Sequence, residues 1–402
     1  MNIQNINNIK FNDFQRLTFK AYCFFYLGFF LIYIYYSYLD YEYPYGFFLY
    51  SPSERFSDLF LQLNIFDLNN PYSFALPQEN FPYFPGSIIF FKIFKLFGSN
   101  YYALSYLILS LVVLAVCVWK ILKKYTNFQK FYVFLLFLLS PPYLYALDRG
   151  NTDSFLIPLL IYCVLSKKQS IITILLWVFI GSFKPQYLFG LFFTKEFDSY
   201  KIFQTIFIFI SLNFTYLIFF TNNDIFDLIN STLLISNWVN IGLKPSLFPI
   251  NDYIGFYLKN SSIYPLVLAL FDFLKTELGL LSEEFFITLL NIFKILFNLL
   301  ILFFALRIKK FDANVIMFTI SFMSITFWAG TYRSIIFFMV LLFYLTNDLP
   351  KPIVAASLIY QLQFLVIGLM PFNYMFSILM ALLKFSVFLY IIYILRKEKL
   401  LI

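Results

Sequence analysis

The chain has 402 residues, of which 61% are hydrophobic and only 12% are charged, and its formal net charge is +8. A soluble domain carries about 25% charged residues, so this composition excludes a soluble globular enzyme. With a mean hydropathy of +0.78, it predicts a polytopic membrane protein with one integral membrane domain over residues 1–402. The positive charge lies in short loops between apolar runs, where it sets orientation and does not indicate nucleic-acid binding.

Several kinds of chemistry are excluded by residue type. The chain has no histidine, which removes Ser-His and Cys-His triads, His-ligated metal sites and imidazole proton relays. Its three cysteines, Cys23, Cys117 and Cys163, all fall inside apolar runs. That spacing fits neither a disulfide framework nor a metal site. We therefore expect neither a metal ion nor a cofactor.

The apolar runs predict an all-α bundle of about 11 to 13 transmembrane helices, at roughly 20 residues per span. The first run, 21–39, is long and no small-residue cleavage site follows it, so we expect it to remain as a signal anchor. Lys184-Pro185 interrupts the apolar sequence, and a broken or re-entrant unit is expected there because proline removes a backbone donor. The predicted spans lie near 17–38, 101–121, 128–146, 152–166, 169–184, 186–194, 202–220, 284–306, 312–329, 333–347, 351–370 and 374–395.

Lysine and arginine predict the orientation of these spans. The basic clusters fall almost entirely on one side of the span set, and the positive-inside rule assigns that side to the cytoplasm. Both termini are then cytoplasmic, in a multi-pass protein of the cell inner (plasma) membrane. The basic clusters are those of the N-terminal tail (Lys10, Arg16, Lys20), 120–130, Lys167-Lys168, 195–201, 307–310, Lys351 and 396–399.

The opposite face receives two long loops, 39–83 and 221–283. The first loop has six acidic residues and a single basic residue, Arg55. The segments 148–151, 184–186 and 330–333 reach the same face. The orientation that satisfies the charge rule therefore also gathers the unusual polar residues outside the cytoplasm.

The junction Asp148-Arg149-Gly150-Asn151-Thr152-Asp153 separates two apolar runs. Asp148 and Arg149 are compatible with a salt bridge at a helix end, and Thr152 with Asp153 form a typical N-terminal capping signal. Capping does not account for Arg149, because a cation near a helix N-terminus is unfavourable. A guanidinium there suits the recognition of an anionic oxygen.

Lys184 and Arg333 also reach the outer face. Each is compatible with a side chain that extends along apolar surface to the interface. Together with Arg149, however, they place three cations on the side that the charge rule disfavours. This pattern indicates a shared anionic partner, such as a lipid-linked phosphate at the outer leaflet.

The first outer loop supplies candidate bases. Asp58 lies between Phe56 and Leu59-Phe60, and apolar surroundings raise the pKa of a carboxyl group toward that of a useful general base. The alternative is an ordinary solvated acidic loop.

Six short motifs follow one another in the chain: Asp58 with Asn70-Pro71-Tyr72, the turn 80–85, the run 148–153, Phe183-Lys184-Pro185-Gln186, Asn237-Trp238-Val239-Asn240 and Tyr332-Arg333. In this order they resemble the GT-C fold of polyprenyl-phosphate-dependent glycosyltransferases, and most of all glycosyltransferase family 87 (DUF2029-type). The first loop departs from the family pattern, because a second aspartate, Asp67, lies shortly before Asn70.

This resemblance implies a membrane glycosyltransferase that moves a mannose-like hexose from a polyprenyl-phosphate donor to an acceptor glycan or lipid, with inversion, on the extracytoplasmic face. Asp58 or Asp67 would be the general base. Arg149, Lys184 and Arg333 would bind the donor phosphate. The substrate would be bound by Asp148, Asn151, Gln186, Asn237, Trp238 and Tyr332.

Two other functions use the same residues. A transporter or flippase of lipid-linked sugars would use the outer cations for binding alone, and a non-catalytic assembly partner would need no transfer chemistry. A transporter is expected to place charges near mid-span, whereas these lie at the ends of predicted spans.

Overall fold

The computed structural model describes residues 3–38, 55–65, 70–73, 81–166, 170–194, 199–232, 331–347, 349–361 and 374–398, with isolated positions between 288 and 319. Within these ranges the regular structure is helical throughout, without a strand. The all-α prediction is therefore confirmed. The predicted spans 284–306 and 312–329 fall largely outside the described residues, as do most of the two long loops.

The α-helices follow the apolar runs. The predicted break at Lys184-Pro185 is present: one helix ends at Phe183 and a 3-10 helix, Pro185–Phe193, follows it. Two further 3-10 helices are Ser99–Tyr101 and Thr331–Phe337, and the latter leads into the helix that begins at Phe338. The α-helices are α1 (Ile3–Tyr38), α2 (Ser57–Ile65), α3 (Gly86–Lys95), α4 (Tyr102–Ile121), α5 (Asn127–Leu138), α6 (Pro141–Arg149), α7 (Asp153–Leu165), α8 (Ile171–Phe183), α9 (Ser199–Phe220), α10 (Phe338–Thr346), α11 (Lys351–Gln361) and α12 (Tyr374–Lys397).

Two helical segments of the described chain, Ser99–Ile121 and Ser199–Phe220, are long and apolar enough to cross a membrane. The pair α5 and α6, bent by 62°, makes a third if it forms one span. The described residues thus contain two or three candidate spans, fewer than the sequence predicts. Helices α7 and α8 have 13 residues each, or about 20 Å at 1.5 Å per residue, which is less than the hydrocarbon thickness of about 30 Å.

Helix α4 shows the inverted polarity of a membrane helix. Leu104, Ile108, Val112 and Val116 recur every four residues, and each is more than half exposed. On the opposite face, Tyr106 and Ser110 are buried and bond to Ser154 Oγ at 2.7 and 2.8 Å. An apolar stripe that faces outward while hydroxyl groups face inward is typical of contact with lipid.

The chain divides into two compact units: the first comprises 1–50, 121–145 and 245–402, and the second comprises 51–120 and 146–244. In the first unit, Lys351 Nζ lies 2.6 Å from Asp13 Oδ2. Tyr125 donates a hydrogen bond to the Leu345 carbonyl. These contacts join the N-terminal tail to the start of α11, and the segment after α4 to the end of α10 just before it. The charge pattern assigns the tail, the segment after α4 and Lys351 to one side of the membrane.

In the second unit, α3, α7, α8 and α9 pack around an aromatic core. Phe183 lies at its centre, with ring centroids 5.3 Å from Phe90 and 5.8 Å from Phe155. The Tyr83 ring stacks on Phe91 at 6.0 Å. This core fixes the segment before α3 against the ends of α7 and α8.

The two predicted outer loops are in contact where the structure describes them. Tyr72 N–H donates to Asn223 Oδ1 at 3.4 Å, and Asn223 Nδ2 donates to Ser73 Oγ. This contact is consistent with both loops lying on one face.

Candidate functional site

Ionisable side chains converge in the second unit where α2, the α6–α7 junction and the end of α8 meet. Three carboxylates and three cations lie there among the described residues, so their formal charges cancel. Each cation has a carboxylate within 4 Å, which limits the free-energy cost of placing charges beside apolar helices. The three pairs are Arg55 with Asp148, Arg149 with Asp58, and Lys184 with Asp153.

Asp58, in the first turn of α2, is held by two residues of the α6–α7 junction. Asn151 Nδ2 donates to Asp58 Oδ2 at 2.7 Å. An Arg149 guanidinium nitrogen lies 3.7 Å from Asp58 Oδ1, and these two side chains are 25% and 26% exposed. This carboxylate is therefore both anchored and accessible to a substrate.

The surroundings of Asp58 act on its pKa in opposite directions. Burial of the carboxyl group raises the pKa of Asp58 above its usual value, and the nearby charge of Asp153 acts in the same sense. The hydrogen bond from Asn151 and the charges of Arg149 and Lys184 oppose that rise. The net effect is a raised pKa, which is what a general base requires.

Lys184 belongs to a second, more deeply buried group. Its Nζ lies 2.7 Å from Asp153 Oδ1, and the two side chains are 10% and 0% exposed. Tyr187 donates to the same oxygen at 2.7 Å, and Lys184 Nζ lies 5.6 Å from the centroid of the Tyr187 ring. The lysine predicted to bind phosphate is thus engaged by an internal carboxylate in this structure.

The predicted cap of α7 differs from the observed one. Thr152 occupies the cap position, but its side chain makes no capping hydrogen bond. Its hydroxyl pairs instead with the Tyr83 hydroxyl at 3.1 Å. Asn151 Oδ1 accepts the Asp153 N–H at 3.0 Å, so Asn151 takes over the capping contact and Asp153 serves as a counter-charge.

A close approach of two backbone turns positions Asp58. Phe56 N–H donates to the Asp148 carbonyl at 2.7 Å. Gly150 has φ +67°, and a Cβ added to it would lie 2.8 Å from Leu59 Cβ. Phe56 itself has φ 55°, a left-handed conformation that few non-glycine residues adopt. Helix α2 therefore packs directly on the α6–α7 turn.

The remaining predicted site residues lie on other elements or outside the described residues. Gln186 is partly exposed in the 3-10 helix of the same unit. Arg333 is 8% exposed and lies, with Tyr332, in the first unit. Asp67, Asn237 and Trp238 lie outside the described residues.

Of the residues predicted from the sequence, the structure brings Asp58, Asp148, Arg149, Asn151 and Lys184 together. It adds Arg55, Asp153 and Tyr187, which the sequence did not assign to the site. One sequence signal for Asp153 existed: a lysine at the end of a strongly apolar run needs a nearby counter-charge.

Replacing Gly150 by alanine should destabilise the second unit. A side chain at positive φ costs about 1–2 kcal/mol, and the contact with Leu59 adds steric strain. Thermal unfolding in detergent should show a loss for Gly150→Ala that exceeds this backbone cost of about 1–2 kcal/mol. A loss no larger than the backbone cost would contradict direct packing of α2 on the turn.

Replacing Lys184 by methionine should lower the free energy of unfolding by about 3–5 kcal/mol, because it leaves a buried carboxylate without its cation. The double variant Lys184→Met/Asp153→Asn should recover much of that loss, since asparagine can still accept from Tyr187. Lys351→Met is the matched control, as the Lys351–Asp13 pair is exposed and should matter little. No recovery in the double variant would contradict the ion pair.

No known protein-family model, curated protein or solved structure matches the chain.

Proposed function

We propose that the protein is a membrane glycosyltransferase that moves a mannose-like hexose from a polyprenyl-phosphate donor to an acceptor glycan or lipid, with inversion. The single observation that carries the proposal is the Asp58–Arg149 pair, a partly exposed carboxylate of raised pKa 3.7 Å from a guanidinium. The proposal includes a GT-C-like bundle of about 11 to 13 spans in the plasma membrane, at roughly 20 residues per span. Both termini are cytoplasmic and the site is extracytoplasmic.

Asp58 acts as the general base. Its carboxylate accepts the proton of an acceptor hydroxyl while the hydroxyl oxygen forms a bond to the anomeric carbon. The bond between that carbon and the phosphate oxygen breaks, and its electron pair leaves with the lipid phosphate. Asp67 is the other candidate base from the sequence. Asp58 is favoured because a cation and an amide donor hold it in place.

Arg149 interacts in turn with the general base and with the leaving phosphate. Before transfer, its charge is attracted to the Asp58 carboxylate. Protonation of Asp58 removes that negative charge at the moment when the departing phosphate gains one. The guanidinium can then stabilise the phosphate, which is the differential stabilisation that lowers a transition-state barrier.

Lys184 supports the site indirectly in this scheme. Its ion pair with Asp153 holds the N-terminus of α7 against the end of α8, and its charge favours the ionised form of Asp58. Additional phosphate contacts by Lys184 and Arg333 remain a prediction from the sequence, as do sugar contacts by Asp148, Gln186, Asn237, Trp238 and Tyr332.

Asn151 is best described as a positioning residue. Its carboxamide donates to Asp58 through Nδ2 and accepts from the Asp153 N–H through Oδ1. Both ends of the amide are therefore used within the protein, and the amide links the base to the N-terminus of α7.

Asp58→Asn should reduce sugar transfer by about 100- to 10,000-fold, the usual contribution of a general base, because the amide keeps the shape but cannot accept the proton. The measurement is the rate of mannose transfer from a polyprenyl-phosphate donor in proteoliposomes. Donor binding is assayed separately and should be unchanged. The control is Asp224→Asn, an exposed carboxylate outside the site. Transfer at the wild-type rate by Asp58→Asn would rule out Asp58 as the base.

The same proteoliposomes also test the alternative function. If the unmodified protein translocates the lipid-linked sugar without ever transferring it, the protein is a transporter.

Asn151→Leu should shift the acidic limb of the pH–rate profile for sugar transfer to higher pH. The base works only when ionised, and the Asn151 hydrogen bond lowers the pKa of Asp58, so its loss raises that pKa further. The measurement is kcat/KM against pH, with Thr152→Ala as the control, since Thr152 bonds to Tyr83. A higher KM with an unchanged limb would instead assign Asn151 to sugar binding.

A further inference from the structure

A cavity of about 370 Å³ opens in the first unit between the N-terminal half of α1 and the start of α11. Its wall combines cations with apolar side chains, and its volume falls within the range of about 300–1,000 Å³ typical of small-ligand sites. The charged residues of the wall are Asp13, Arg16, Lys20 and Lys351. It shares no residue with the site around Asp58.

The formal charge of this wall is +2, from three cations and one carboxylate. Asp13 is engaged by Lys351 at 2.6 Å, which leaves the surplus on Arg16 and Lys20, one helical turn apart on α1. A neighbouring cavity of about 480 Å³ shares Asp13 and Lys351 but adds Lys10 and Glu398. Its formal charges therefore cancel. Of the two cavities, the one lined by Arg16 and Lys20 attracts an anion.

The depth of the cavity along α1 identifies the kind of anion. Lys20 is the last charged residue before the apolar part of α1, where Phe24 is 68% and Leu27 is 58% exposed. In a membrane-inserted chain, this transition lies at the level of the lipid headgroups. Leu17 and Ala355 are partly exposed and line the same cavity, so a ligand there meets apolar surface beside the cations.

We propose that this cavity binds the phosphate of an anionic phospholipid, with the phosphate against Arg16 and Lys20 and the glycerol end directed toward the apolar part of α1 that follows Lys20. An anionic phospholipid has two parts that match this wall: a phosphate for the cations and an adjoining apolar stem for the apolar side chains. A free phosphate ion has only the first. Basic pockets on the cytoplasmic side of membrane helices bind anionic headgroups in this way. The proposal depends on insertion of the chain in a membrane and is independent of sugar transfer.

The test is the dissociation constant of the first bound phosphatidylglycerol, measured by native mass spectrometry of the full-length protein in detergent. Arg16→Gln/Lys20→Gln should weaken binding by about 25-fold, at about fivefold for each charge removed. Lys123→Gln/Lys124→Gln is the matched control, because it removes two exposed cations of the same unit that do not line the cavity. Binding of phosphatidylcholine should be weaker in the wild type and unchanged in both variants.

A third variant tests whether lipid binding needs the cavity itself or only the positive charge of the surface. Ala355 lines the cavity, and Ala355→Trp should fill it without altering its charge and weaken phosphatidylglycerol binding comparably, with the unfolding temperature verifying that the variant folds. Equal weakening by the control pair, or undiminished binding by Arg16→Gln/Lys20→Gln, would overturn the proposal. So would undiminished binding by folded Ala355→Trp. Competition by inorganic phosphate at the same concentrations as the lipid would assign the site to a soluble anion and overturn the lipid assignment.

Discussion

The buried ion pair between Asp153 and Lys184 is the interaction on which the rest of the candidate site depends. It joins the first residue of α7 to the residue that directly follows α8, and Pro185 prevents the helix from continuing past that point. Because each charge is desolvated, the pair tolerates little change in geometry. Asn151 precedes Asp153 by two residues and bonds to its N–H, so the fixed pair also fixes the amide that holds Asp58.

Exposure places two of the three ion pairs of this junction in separate layers. Asp153 and Lys184 are almost completely buried, whereas Asp58 and Arg149 are each about a quarter exposed. The inner layer is suited to maintaining geometry and the outer layer to meeting a substrate. Since the formal charges cancel over the whole junction, the site can hold several ionised groups beside apolar helices without a large net field. Protonation of Asp58 alone would leave the junction with a net positive charge. Arg149 is the cation whose carboxylate partner would then be neutral.

The sequence predicts the helical class, the bounds of α4 and the break at Lys184-Pro185 well, because hydrophobic run length and proline act locally. It also identifies the 148–153 junction, since charges between apolar runs are costly wherever they lie. It does not predict the pairing of Asp153 with Lys184 or of Thr152 with Tyr83, because those partners are distant in sequence and only tertiary packing selects them. Thr152 has the composition of a cap, yet a buried tyrosine hydroxyl competes for its side chain and Asn151 takes the capping contact. Within the described residues, α7 and α8 fall short of the predicted spans for a related reason: hydropathy reports apolar character, whereas the length of these two helices is set by breaks at their ends.

The shortness of α7 and α8 has a consequence for the route of a lipid-borne substrate. At about 20 Å, they are about 10 Å shorter than the 20-residue α4, which matches the bilayer core. In the proposed glycosyltransferase, charges at the end of these short helices would lie in a recess below the headgroup plane, and the bilayer would be thinned locally around them. A lipid anchored in the outer leaflet would then need to lower its headgroup into the protein, while its chain stays in the surrounding hydrocarbon. The depth of the recess, and not only the charges within it, would select ligands that carry a long flexible tail.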